Sequence, residues 1–134
     1  MPSRDIKDCD QILQDCYPLL KAEYEKLFPG RELFLTCTKR SPEEQEALYK
    51  QGRGAPGPIV TQIDGVKKMS MHNYAPARAF DVGIKLHDLV VWGDDYFLPL
   101  GKCLKNICFD KAVRWGGEFS FHDYPHFEIR KQGD

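Results

Sequence analysis

Ser70-Met71-His72-Asn73-Tyr74-Ala75-Pro76-Ala77-Arg78-Ala79-Phe80-Asp81 is the stretch on which the reading of this chain turns. Its first half, with Asn and Pro around His72, has the make-up of a loop. Its second half opens the run Ala79-Phe80-Asp81-Val82-Gly83-Ile84, which reads as a strand. An acid inside an apolar strand is costly unless it is paired or ligates a metal. Asp123-Tyr124-Pro125-His126-Phe127-Glu128 near the C-terminus shows the same mixture. Together the two clusters point to a metal site assembled from distant pieces of chain.

Around them, 134 residues with 42% hydrophobic and 29% charged side chains describe an ordinary globular protein, read as one domain spanning 1–134. Nineteen basic against twenty acidic residues leave a net charge of -1, which gives no electrostatic case for nucleic acid or an anionic membrane. No apolar run approaches a membrane span of about 20 residues. Met1-Pro2-Ser3-Arg4-Asp5 leads into a polar amphipathic segment, so no secretory signal is expected. Five cysteines (Cys9, Cys16, Cys37, Cys103, Cys108), with no CxxC pair, are expected to be reduced, buried small hydrophobes.

Ile12, Leu13, Cys16, Leu19, Leu20, Tyr24 and Leu27 form a helical stripe. Pro18 inside it predicts a main helix starting near Tyr17 with a separate short helix before it. Glu32–Thr38 reads as a strand. Ser41 and Glu44 have capping-box spacing with Pro42 at the first helical position, predicting a helix that runs to Gly52. Arg40 thus falls between a strand end and a helix start. Residues 53–69 form a long loop that delivers the chain to His72 and is expected to cover a site. Leu89–Trp92 predicts a strand, Asp95 the cap of a helix with Phe97, Leu100, Leu104, Ile107 and Cys108 on its core face, and Val113–Gly117 a strand that breaks at its glycines. Period two in His126-Phe127-Glu128-Ile129 sends His126 and Glu128 to one face and Phe127 and Ile129 to the other. The fold class is α+β, with helices packed against a small, mostly antiparallel sheet.

Catalytic zinc takes three His or carboxylate ligands and keeps a fourth position open. His72, Asp81 and His126 supply such a set. Asp123, three residues before His126, is available as a general base, and Arg40 as a stabiliser of the developing oxyanion. On residue types alone His87 and His122 compete for the ligand roles, since neither HExxH nor CxxC is present.

The segments Arg40–Gln45 with Leu48–Arg53, Pro58–Thr61, Ser70–His72 through Asp81, Trp115–Glu118 and Asp123–Glu128 follow in order from Leu35 to Ile129. This order resembles the zinc D-alanyl-D-alanine carboxypeptidases and L-alanyl-D-glutamate endopeptidases of peptidoglycan, which share a fold with the Hedgehog signalling domain. The resemblance implies His72, Asp81 and His126 as zinc ligands, Asp123 as the catalytic carboxylate, Arg40 as the substrate- and transition-state-binding arginine, and Ser70 as a substrate-binding serine. Glu128 also matches, and is expected to support the ligand face by hydrogen bonding. One departure is visible: Asp81 follows His72 by nine positions, where the commonest family form has seven, and Ala75-Pro76-Ala77 reads as a two-residue expansion ahead of the strand.

Asp in the base position and the Pro125–Glu128 ending look more like the phage-lysin endopeptidase branch than the dipeptidases. That branch implies an enzyme that acts on the peptidoglycan stem peptide and accumulates in the host cytoplasm before release to the wall; the chain's length leads us to expect substrate recognition within the catalytic domain itself, and a monomer is expected. Two alternatives stand beside it: cleavage of the terminal D-Ala-D-Ala bond, and a non-enzymatic binding domain that keeps the zinc fold.

Overall fold

A computed structural model describes residues 2–61, 63–65 and 68–131. The first long element, α1 (Gln11–Leu27), is capped by Asp10, whose side chain accepts from the Ile12 N–H at 3.1 Å. It runs unbroken through Pro18, so the expected division near Tyr17 does not occur. A proline inside a helix costs about 3 kcal/mol. Leu13, Cys16, Leu20 and Tyr24 are all fully buried along one stripe, and each large apolar side chain removed from water returns about 1.5–3 kcal/mol. Tertiary burial outweighs the local penalty.

After the Gly30 turn, β1 (Arg31–Cys37) leads to α2 (Pro42–Lys50), which carries the reciprocal capping box of Ser41 and Glu44. The chain then crosses the long loop to β2 (Ala79–Leu86) and turns back through β3 (Leu89–Val91). Where one helix was expected there are two, α3 (Asp94–Phe97) and α4 (Leu100–Asn106), separated at Leu98-Pro99. Asp95 is not the cap: Gly93 holds that position, and both Asp94 and Asp95 lie in the first turn, where their charge faces the positive end of the helix. Cys108 is a further correction. The chain reverses there with φ 63°, and its thiol is exposed, whereas Cys9, Cys16, Cys37 and Cys103 are buried as expected. β4 (Val113–Trp115) ends in a helical turn at Gly116–Glu118, and β5 (His126–Ile129) closes the sheet.

Every ladder is antiparallel, in the order β1-β2-β5-β4, with β3 also on β2. β2 is the spine, bonded to β1 along its length on one edge and to β5 and β3 on the other. Alternation splits it into two faces. Phe80, Val82 and Ile84 join Leu33, Val113 and Phe127 in the core against α1 and α4. Asp81 lies on the other face. No helix among the described residues is long and apolar enough to cross a membrane.

Candidate metal centre

Sheet register builds the centre around Asp81. It pairs directly with Cys37 on β1 and with His126 on β5, so three side chains form a row across three strands. The β1 ladder shifts register between Leu35 and Cys37. This bulge at Thr36 re-aims Cys37, in place of Thr36, opposite Asp81. His72 arrives from the loop, in a helical turn over Met71–Asn73 whose cap is Ser70. The Ser70 hydroxyl accepts from the His72 N–H at 3.2 Å, and Asn73 Oδ1 accepts from the Ser70 N–H at 2.8 Å.

The nine-residue spacing does not separate His72 from Asp81, because the extra chain is tied down elsewhere. Ala77 is fully buried and exchanges backbone hydrogen bonds with Asp8 and Asp10, while the Arg78 N–H returns to the Met71 carbonyl. His72 Nε2 lies 3.2 Å from Asp81 Oδ1, and His126 Nδ1 lies 2.9 Å from the same oxygen.

The far side of each ring is also engaged. His72 Nδ1 is 2.6 Å from the Thr38 carbonyl oxygen and His126 Nε2 is 2.8 Å from Glu128 Oε1. A carbonyl and a carboxylate only accept, so each of those nitrogens carries the proton. A neutral ring then turns its bare nitrogen toward Asp81. Two lone pairs converging on one carboxylate oxygen repel unless a cation, or a proton on each ring, stands between them. Tetrahedral zinc with bonds near 2.1 Å spaces its ligand atoms roughly 3.4 Å apart, close to the separations found here. Cys37, His72 and Asp81 are also mutually close, with ligand atoms within 4.8 Å of one another. The donor set fits a metal ion.

Without one, protons take its place. Burial alone would lower the pKa of His72, but the Asp81 carboxylate overrides it and raises it to about 10. His126 follows the same balance, with burial opposed by its hydrogen bonds to Asp81 and Glu128, and rises to about 9. For Asp81, burial acts upward, yet the two imidazoles hold its carboxyl far below the usual range.

Asp123 and Arg40 flank this row. Asp123 Oδ2 is 3.9 Å from His126 Nδ1 on the open side, with about half its side chain exposed. Burial first, and the Asp81 charge second, push its carboxyl upward. Its backbone is held against Gly116, whose carbonyl accepts the Asp123 N–H at 2.9 Å. A Cβ on Gly116 would lie 2.1 Å from the Asp123 carbonyl oxygen, so only glycine permits this approach. Arg40 Nη1 donates to Gln45 Oε1 at 2.7 Å and Nη2 to Cys37 Sγ at 3.3 Å, with Nη2 3.8 Å from Asp81 Oδ2. Its Nε is buried without a partner among the described residues.

These groups open into a cleft of about 470 Å³ that Ser70, Phe119 and Phe121 also line. Val60, Thr61 and Ile63 line it too, so the described part of the long loop does reach the site. Gln45, missed in the sequence, explains how. Although almost fully buried, it holds Arg40 through Oε1 and the loop through Nε2, which donates to Thr61 Oγ1 and the Ile63 carbonyl. Cys37 was likewise missed as a member of the row. His87, in the turn after β2 with its N–H on the Gly30 carbonyl, and His122, exposed and stacked on Tyr124, stay outside.

The chain resembles known proteins in sequence and in fold. The profile of the family described as D-alanyl-D-alanine carboxypeptidase matches residues 64–129. The peptidoglycan L-alanyl-D-glutamate endopeptidase CwlK of Bacillus subtilis (strain 168) is 32% identical over 134 residues, covering 88% of this chain and 75% of that protein. The crystal structure of Serratia marcescens L-Ala D-Glu endopeptidase ChiX superposes with a TM-score of 0.56 at 20% identity, covering 96% of this chain and 90% of the other, and so shares its fold. By its relationship to CwlK, the chain belongs to the zinc-peptidase family of D-alanyl-D-alanine carboxypeptidases and L-alanyl-D-glutamate endopeptidases, and is a hydrolase.

Proposed function

We propose that the protein is a zinc-dependent endopeptidase of the bacterial cell wall, cutting the peptidoglycan stem peptide at the L-alanyl-D-glutamate bond. The observation that carries this reading is the convergence of His72 Nε2 and His126 Nδ1 on Asp81, with Asp123 beside them on the cleft side. His72, Asp81 and His126, all lining the cleft, would hold the ion. Bound there, zinc supplies Lewis-acid polarisation of the scissile carbonyl and a lowered water pKa.

The protein's own groups do the rest. The Asp123 carboxylate takes a proton from the attacking water and returns it to the amide nitrogen as the C–N bond breaks, and its raised pKa suits that exchange. Arg40, held by Gln45 and Cys37, points its guanidinium at the charge that develops on the carbonyl oxygen. Ser70, which lines the cleft, offers its O–H to the peptide. Glu128 fixes the ring of His126, as the Thr38 carbonyl fixes that of His72.

The choice of bond is supported by CwlK, whose name states L-alanyl-D-glutamate endopeptidase. Asp at 123 and the Pro125–Glu128 ending support a phage-type endolysin that gathers in the host cytoplasm before reaching the wall. The matched family description favours a second reading, D-alanyl-D-alanine cleavage. Mass spectrometry of a digested stem peptide separates them: an endopeptidase leaves a new D-glutamyl N-terminus, whereas release of free D-Ala would overturn the first reading. Asp123→Asn is expected to keep zinc and lose at least about a hundredfold in kcat, the usual range for a general base. His126→Ala is expected to lose the metal itself. An Asp123→Asn protein with full turnover would refute the assignment.

A further inference from the structure

The cleft does not end at Asp123. It continues into a side cavity of about 300 Å³, with Ile63, Met71, Phe119 and Glu128 lining both spaces. The chemistry changes along the way. Lys68, Arg114 and Lys131 line the side cavity against one carboxylate, Glu128. That carboxylate is already the acceptor for His126 Nε2. Arg114 stands directly opposite Glu128 in the β4–β5 ladder and so shares its face. Its guanidinium lies over the Phe119 ring, Cζ 4.5 Å from the centroid, and among the described residues it makes no ion pair. Stacking fixes the plane of the guanidinium and leaves the N–H donors along its edge for a planar acceptor.

We propose that this basic side cavity is a substrate subsite that binds a carboxylate carried by the peptide close to the bond that is cut. The inference rests on the peptidase reading. Arg114 is one cross-strand neighbour from Glu128, which is one hydrogen bond from His126. With cross-strand neighbours about 5 Å apart and an extended peptide advancing roughly 3.5 Å per residue, the subsite lies within about three residues of the scissile bond. A D-glutamyl residue within a chain uses one carboxyl for its peptide link and keeps the other. The C-terminus of a short stem supplies a second carboxylate within reach. Both offer the planar anion that a stacked arginine takes bidentately, and the neighbouring lysines add long-range attraction.

Three synthetic stem peptides test this: one with both carboxylates free, one amidated at the D-glutamyl carboxyl, and one amidated at the C-terminus. Amidating the bound carboxylate is expected to lower kcat/KM of the zinc-loaded enzyme about ten- to a hundredfold, the worth of a hydrogen bond to a charged group. Which peptide suffers identifies the carboxylate. Arg114→Gln is expected to bring the free peptide down to the level of the poor one while leaving the poor one nearly unchanged. Equal cleavage of all three by wild type, or an undiminished preference in Arg114→Gln, overturns the proposal. Should Arg114→Gln lose activity on every peptide, exposed Lys68 decides: a narrowed preference in Lys68→Gln supports the subsite, and an unchanged one rejects it. Calorimetric affinities for the three peptides in the Asp123→Asn background give a readout independent of cleavage. A protein that binds the free peptide more tightly but cuts none would defeat the peptidase reading and leave the subsite standing.

Discussion

Gly116→Ala provides the sharpest test of how the backbone holds Asp123, the proposed general base. The added methyl would meet the Asp123 carbonyl oxygen at 2.1 Å, and the Asp123 carbonyl carbon and His126 Cβ each at 3.0 Å. Restoring an ordinary contact of 3.4 Å or more moves the Asp123 backbone by about 1.3 Å, where a misplacement near 1 Å costs about a hundredfold in rate. The same shift strains the hydrogen bonds that the Gly116 carbonyl accepts from Asp123 and Phe119, and overpacking of this kind costs about 1–3 kcal/mol. Expected together are a roughly hundredfold loss of kcat on stem peptide, weaker zinc retention because His126 is also displaced, and a urea midpoint lower by about 1 M, given a slope of about 1–3 kcal/mol/M. Gly54→Ala is the control, since nothing lies within 4 Å of its added Cβ. Wild-type turnover and an unchanged midpoint in Gly116→Ala would show that close approach at this glycine does not position Asp123.

The pH dependence follows from the two imidazoles. Their pKa values in the metal-free fold are raised, to about 10 and about 9, so their stabilising contribution is fully present below about pH 6.5 and is lost as pH climbs through 9 to 10. Asp81 is shifted the other way, and its contribution fades only as pH falls below about 4. Denaturant titrations of metal-free protein are therefore expected to show stability declining from pH 7 to 10; a rise over that window would contradict the assignment. Zinc must displace a proton from each ring, so binding near pH 7.5 is expected to release about two protons, read as a buffer-dependent calorimetric enthalpy. Glu128→Ala removes the acceptor that orients His126 and is expected to weaken zinc about 10- to 100-fold, measured by competition with a chelator; unchanged affinity would remove Glu128 from the site.

Much of this was legible because it is local. The Ser41–Glu44 capping box spans three residues, and the α2 start it predicts is the one found. Alternation in residues 126–129 placed His126 and Glu128 together because a strand's geometry has a period of two, and the two side chains are hydrogen-bonded. The ordered segments from Arg40 to Glu128 pointed, through family likeness, to His72, Asp81 and His126, which the structure brings within hydrogen-bonding distance around Asp81. What failed also failed for a local reason. Pro18 argues against a continuous helix when only its own peptide bond is weighed, and α1 is continuous because its buried stripe outweighs that cost. Cys108 fits a helical stripe that ends before reaching it, since Pro99 divides the segment and the chain reverses after Asn106.

The tertiary structure alone decided which groups meet. Cys37 faces Asp81 through a bulge at Thr36 that no local signal announces, because a bulge is a property of two strands in register and not of one. Gln45 looks like an ordinary helix residue until α2 closes it between Arg40 and the loop. Arg114, the least conspicuous of these in the sequence, acquires its place beside Glu128 only when β4 pairs with β5. The sequence by itself determined the kinds of chemistry available and the elements that carry them. Sheet register set Asp81 beside His126, and docking of the preceding loop brought His72 to them, because strand alignment and loop docking are both set by long-range packing that no short window of sequence contains.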